Sequence, residues 1–415
     1  MADKLFACAN GRVIPKEDKI FGISSRAKKM IAKEGKDKVV NATIGALLDD
    51  DGNLIVLSPV YDAFKQLTAE DLFEYAPIHG VESFRQAVKK DAFRNYIPKA
   101  YTEVVATPGG TGAIRNTISN YCNSGDNILI ADWYWAPYKT IAQEIGRNIT
   151  TFNFLTEDGK FNAKEFKLKA DELLEKQDRL VVILNTPAHN PTGYSLTLDD
   201  WLAVKKEFEG VSKDKKIALL VDMAYIDFAG DMDEYRRFFP ILEEMPDNVL
   251  PILAYSLSKA YTMYGMRCGA MICMAKTEEI AEEFRQVCTY SSRASWSNCA
   301  KAPQIILSKI YEDPDLKKRV DEEREFYRNI MIKRGKALEK AANEIGLEMV
   351  PFDTGFFASF PCPNPDAVSQ ELEKEGIFLV PLAKGLRVSV ASVSEEVCTK
   401  LPERIKSAME RVAAK

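Results

Sequence analysis

Between residues 104 and 274 the chain keeps repeating one pattern, a short apolar run stopped by Gly, Pro, Asn or Asp and then a stretch with helical spacing. The runs are EVVATPGG, NILIAD, ITTFNFL, RLVVILNTP, IALLVDMAY, VLPILAYSLS and CGAMICMAK. Their nearly unbroken apolar character is that of strands covered on both faces. Between them PYKTIAQEIG and TLDDWLAVKKEFEG carry the period of amphipathic helices. The alternation predicts an α/β fold, a mainly parallel seven-stranded sheet with helices on both faces. From about Asp315 the pattern changes to one long charged amphipathic helix or a kinked pair, then FDTGFFASFPCP, a helix near Asp366 to Glu375, GIFLVPL, LRVSVAS and a last helix. These predict a smaller α+β domain over residues 316–415, beside a large domain over 49–315. Residues 1–48 hold too little pattern for a domain of their own and are expected to pack on the small one.

Composition narrows the class. The 415 residues are 46% hydrophobic and 28% charged, beyond the length at which one core keeps growing. No segment reaches the ~20 apolar residues of a membrane span. The net charge is −5 with Lys and Arg dispersed, which argues against a nucleic-acid surface. The first residues are polar and lack an apolar signal core, so a cytoplasmic protein is expected. Eight scattered cysteines without a CxxC predict reduced thiols and no metal site, and with only His79 and His189 present a general base is expected to be something other than histidine.

Ligands of open α/β sheets sit beyond the carboxyl ends of the strands, and the unusual residues cluster there. TPGGTGAIRN is a strand end, a Gly-rich turn and a helix start, offering the N–H groups of Gly110, Thr111 and Gly112 to an anion, or simply making a turn. It matches neither the dinucleotide fingerprint nor a Walker motif. Trp133, Tyr134, Trp135 and Tyr138 in ADWYWAPY suit a flat ligand or ordinary core packing. Asn190 in HNPTG can present its amide to a ligand oxygen or only shape a tight loop. Asp222 ends an apolar strand, where its carboxylate needs a partner or caps a helix, and Tyr225 follows three residues later. In YSLSKAYTMYGMRCG, Lys259 alone reads as a loop lysine. Together with the other strand ends it reads as an amine forming a Schiff base with an aldehyde cofactor, Ser256, Ser258 and Arg267 being suited to that cofactor's phosphate.

The ordered set NATIG, EYAPIHG, TPGGTGA, HNPTG, DMAY, SLSK with an arginine eight residues after the lysine, RASWSN and LRVS resembles the aspartate and aromatic aminotransferases, pyridoxal 5'-phosphate enzymes of fold type I. The resemblance spans nearly the whole chain. It implies that Lys259 holds the cofactor and then moves the proton, that Asp222 keeps the pyridine nitrogen protonated, and that Asn190 and Tyr225 bond the ring's phenolic oxygen. It implies further that Trp135 stacks on the ring and that Gly110, Thr111, Ser256, Ser258 and Arg267 hold phosphate, with Tyr75 reaching it from the partner subunit. Arg387 would take the substrate α-carboxylate, Ile44 and Gly45 would close over it, and Arg293 of the neighbouring subunit would pair with a distal carboxylate.

The implied activity is transfer of an amino group between aspartate or an aromatic amino acid and 2-oxoglutarate, by a homodimer with shared sites acting on amino acid and 2-oxo acid substrates. The sequence departs from the close aspartate enzymes at Tyr138, where they carry a histidine, at SNCA in place of SNPP, and at His79, where a small residue is usual. A β-lyase or decarboxylase on the same scaffold, and a non-catalytic sensor, are the alternatives.

Overall fold

The structure, a computed structural model, describes residue 6 and residues 18–414; Cys8 lies outside the described residues. Seven strands form the main sheet: β2 (Val104–Thr107), β3 (Asn127–Ala131), β4 (Asn148–Phe152), β5 (Arg179–Asn185), β6 (Lys216–Asp222), β7 (Val249–Ser256) and β8 (Gly269–Cys273), with β1 (Val40–Asn41) lying elsewhere. Their spatial order is β2-β8-β7-β6-β5-β3-β4. Only β8 runs antiparallel to its neighbours β7 and β2, and the other pairs are parallel. The expected fold class is therefore observed.

Successive side chains of each strand enter two different cores, which is why the runs are apolar without alternation. Leu219 and Val221 of β6 pack in one core with Leu253 and Tyr255, while Ala218 and Leu220 pack in the other with Ile252 and Ala254. Register matters more for function. Asn185 of β5 stands opposite Asp222 of β6, and Asp222 opposite Ala254 of β7, so three carboxyl ends finish in one row.

A second sheet contains β9 (Phe357–Pro361), β11 (Val380–Pro381) and β12 (Gly385–Ser389) in the order β11-β12-β9, all antiparallel, and β1 pairs in parallel with β10 (Ile377–Phe378). GIFLVPL thus splits between two sheets. The helix Lys19–Glu34 sets Ile23 and Ala27 against Phe378. One unbroken helix, Pro314–Glu344, realises the expected long element. Asp313 caps its start, accepting from the N–H groups of Asp315 and Leu316, and Pro314 occupies the first turn, where its missing N–H costs nothing. Its 31 residues, about 46 Å, bury Leu316 and Val320 in the first core and Leu338 and Ala342 in the core behind the second sheet. That helix therefore packs into both of these cores.

Candidate active site

A cavity of about 600 Å³ opens at the carboxyl ends of β5, β6 and β7. Residues of both sheets line it, as do Ile44, Gly45 and Ala46 and, at its mouth, Asp18, Ile20 and Phe21. Twelve of the expected site residues meet there: Gly45, Gly110, Thr111, Trp135, Asn190, Asp222, Tyr225, Ser256, Ser258, Lys259, Arg267 and Arg387, with Ile44 beside them.

At one end the helix Gly109–Tyr121 begins without a side-chain cap, leaving its first N–H groups to an outside acceptor. Gly109 has φ +72°, and a Cβ there would meet Arg267 Nη2 at 2.8 Å, so the turn and the guanidinium approach only because the side chain is absent. Arg267 Nη1 donates to Ser258 Oγ at 3.0 Å. Ser256 ends β7 and accepts from the Ser258 N–H at 3.3 Å. Helix-end N–H groups, two hydroxyls and an arginine fork form a cradle for a dianionic phosphate. Thr262 is not part of it, because its Oγ1 accepts from the Leu57 N–H at 3.0 Å.

Opposite stands Asp222, 6% exposed, with burial raising its carboxyl above the usual value while the Tyr138 O–H and the Ala224 N–H act the other way. The Tyr138 hydroxyl donates to Oδ2 at 2.5 Å and the Ala224 N–H to Oδ1 at 3.2 Å. Asn185 ties the row together. Its Nδ2 donates to the Asp222 carbonyl at 2.7 Å, and its Oδ1 accepts from the Asn190 N–H at 2.6 Å. Asn190 Nδ2 in turn donates to the Tyr225 hydroxyl at 3.3 Å.

Lys259 points its amine into the cavity and donates to the Gly45 carbonyl. Burial, then the charges of Arg387 and Arg267, push its pKa down to about 7. An amine so placed is both nucleophile and base near neutrality. The Tyr264 ring lies 4.7 Å from Nζ and its hydroxyl accepts from the Leu47 N–H at 2.9 Å.

Arg387 projects from β12, 3% exposed, over the Phe357 ring at 4.2 Å. It donates to Asn190 Oδ1 at 3.2 Å and to the Thr43 carbonyl at 2.7 Å, and its buried Nε has no partner among the described residues. Burial lowers its pKa to about 10. A buried guanidinium with an unsatisfied N–H suits a carboxylate.

Tyr75 and Arg293 do not reach the cavity of their own chain. Tyr75 is 86% exposed and Arg293 Nη1 donates at 2.5 Å to Ser297 Oγ on an exposed helix end. Trp133 is in the core and Tyr138 is buried beneath Trp135, whose ring it meets edge-on at 5.5 Å; of the four aromatics only Trp135 lines the cavity. His189 is buried, bonded to Thr192, and pushed down to about 3 by burial. Asn185, Tyr264 and Phe357 escaped the sequence reading, although Asn185 and Tyr264 stand inside the stretches already singled out and Phe357 inside TGFFASF.

These parts fit pyridoxal 5'-phosphate: a dianion cradle, a buried carboxylate for a protonated ring nitrogen, a flanking indole and an amine of lowered pKa. Residues 37–405 match the family model for aminotransferase class I and II, and the chain belongs to that family, whose members depend on this cofactor. It is 25% identical over 388 residues to the mitochondrial aspartate aminotransferase of Xenopus tropicalis, covering 91% of this chain and 87% of that one. It is 26% identical to an aromatic-amino-acid aminotransferase of Pseudomonas aeruginosa, over 87% of this chain and 90% of that one. A solved aminotransferase of Anaerococcus prevotii is 39% identical, superposes with a TM-score of 0.94 and covers 98% of this chain and 99% of its own. The chain is a pyridoxal-phosphate-dependent aminotransferase, and the lyase and decarboxylase alternatives are not favoured.

Proposed function

We propose that this aminotransferase exchanges an amino group between aspartate, or an aromatic amino acid, and 2-oxoglutarate in two successive half-reactions. The supporting observation is that the Lys259 amine and the Arg387 guanidinium, whose Nε is unpaired among the described residues, line one cavity, with Asp222 and the phosphate cradle on its other walls. The bound cofactor supplies an aldehyde carbon that carries the amino group and a ring that accepts electrons. Asp222 would keep the ring nitrogen protonated. Asn190 and Tyr225 would bond its phenolic oxygen, and Trp135 would cover one face. Gly110, Thr111, Ser256, Ser258 and Arg267 would hold the phosphate. Arg387 orients the substrate through its α-carboxylate, which brings the α-carbon proton within reach of the Lys259 amine. Gly45 and Ile44 would help exclude water from above.

The same reading makes the protein a homodimer in which Tyr75 and Arg293 serve the neighbouring site. Phe73, Tyr75 and Tyr290 are 84%, 86% and 80% exposed, which is unusual for large aromatic side chains and supports a covered surface. A distal carboxylate paired with Arg293 accounts for the dicarboxylate partner.

Absorbance tests the proposal. The cofactor-loaded protein is expected to be yellow, to shift its band with glutamate, and after borohydride to carry the pyridoxyl mass on the peptide containing Lys259. A pyridoxyl mass at a different lysine, or a band indifferent to glutamate, refutes it.

A further inference from the structure

Behind the cavity, and lining none of it, lies a fully buried set of charges. Asp91 on the helix Glu82–Phe93 and Arg324 on the helix Pro314–Glu344 are both 0% exposed and pair at 3.3 Å. Asp227 and Arg236, 1% and 2% exposed at their side chains, pair at 2.7 Å beside them. Burial alone would raise the Asp91 carboxyl, but the charges of Arg324 and Lys317, with bonds from Arg324 and the Tyr255 hydroxyl, outweigh it and hold the group ionised.

Three of the groups bonded to this set belong to the stretch that carries Lys259. The Tyr255 hydroxyl lies 2.5 Å from Asp91 Oδ2 and 2.9 Å from Asp227 Oδ2. Tyr261 donates to Asp91 Oδ2 at 2.6 Å, and its ring lies 4.1 Å from the Arg324 guanidinium. Arg324 Nε donates to the Ala260 carbonyl at 2.6 Å. Positions 255, 260 and 261 thus bracket Lys259, while Asp227 sits two residues beyond Tyr225. One further hydroxyl, of Tyr311 on the helix Lys301–Glu312, donates to Asp91 Oδ1 at 2.6 Å but belongs to no cavity segment.

We propose that the Asp91–Arg324 pair is a positioning anchor for the lysine turn, fixing through Tyr255, Ala260 and Tyr261 where the Lys259 amine stands, without touching cofactor or substrate. A short turn of four residues, Leu257–Ala260, has little rigidity of its own, and buried ionic networks restrict alternative arrangements. The inference rests on the reading of Lys259 given above.

Tyr261→Phe and Tyr311→Phe remove one hydroxyl each from the same carboxylate and separate positioning from plain structural support. Each is followed by its melting temperature, by the pH dependence of Lys259 labelling with a small imidoester in the cofactor-free protein, and by the pH at which the bound chromophore titrates. Both variants are expected to melt lower by similar amounts. Only Tyr261→Phe is expected to move the labelling midpoint of Lys259 up, by about half a pH unit or more, toward an ordinary lysine, and to move the chromophore midpoint. Equal midpoints in the two variants overturn the anchor, because the labelling needs no cofactor. A wild-type protein that fails to take up pyridoxal phosphate at Lys259 would instead overturn the reading of the lysine, and the two failures are distinguishable.

Discussion

The Tyr138 hydroxyl donates to Asp222 Oδ2 at 2.5 Å, in a pocket where both side chains are buried. Tyrosine here supplies one neutral donor where the close aspartate aminotransferases that the sequence resembles carry a histidine. Burial raises the Asp222 pKa and the Tyr138 bond opposes that rise, so deleting the hydroxyl lets the pKa climb further. Asp222 would serve as the anion. In Tyr138→Phe the acidic limb of the kcat profile is therefore expected to move to higher pH by about one to two units, since a bond to a charged group is worth roughly 1.5–3 kcal/mol. An acidic limb that stays in place would show that the carboxylate does not depend on this donor.

Lys259 gives a stability prediction with a definite sign. Its folded value of about 7 lies below the ordinary 10.5 because burial penalises the ammonium first, with Arg387 and Arg267 adding repulsion. Between those values the unfolded chain binds a proton that the folded chain does not, so stability rises with pH across the window. Below pH 7 the buried charge costs on the order of 5 kcal/mol. Lys259→Met, without cofactor, should be more stable than wild type in acid, with the gap closing as pH climbs toward 10.5. Urea unfolding at several pH values measures this, and a constant gap contradicts the assigned shift.

Gly109 tests the phosphate cradle by geometry alone. At φ +72° with Arg267 Nη2 2.8 Å from an added Cβ, Gly109→Ala strains the backbone and pushes the guanidinium away. Loss of about 2 kcal/mol would weaken cofactor binding roughly thirty-fold, measured by fluorescence titration. Gly210→Ala, whose added Cβ makes only an ordinary 3.7 Å contact, should bind like wild type.

Sequence carried the strand-end residues well because each follows an apolar run whose length and flanking breakers are local signals. Register then brings Asn185, Asp222 and Ala254 into one row without any pattern a reader of the chain could see. Asp91 and Arg324, 233 positions apart, each look like the solvated face of an amphipathic helix in KKDAF and EEREF. Only packing of two helices against the lysine turn makes them partners. The same holds for Phe357 beneath Arg387, which reads as a core aromatic until β9 and β12 pair. Tyr138 was visible as an unusual residue, but its bond to a residue 84 positions away was not.

Arg293 offers the sharpest test of substrate class and of a shared site together. Among the described residues, the cationic side chains lining the cavity of one chain are Lys259, Arg267 and Arg387, the first two committed to cofactor and the third to an α-carboxylate under the proposed reading. Under that reading a second carboxylate takes its cation from elsewhere, and Arg293, exposed and bonded among the described residues to Ser297, is available to a neighbour. Arg293→Leu should lower kcat/KM for aspartate at least about thirty-fold, roughly 2 kcal/mol, and leave phenylalanine nearly unchanged. Mixing that variant with Lys259→Ala should then restore aspartate turnover, because a hybrid dimer has one site with Lys259 from one chain and Arg293 from the other. Random pairing gives such intact sites as about a quarter of the total. Activity that stays absent on mixing, with hybrid dimers present, would place the distal cation in the same chain as the lysine.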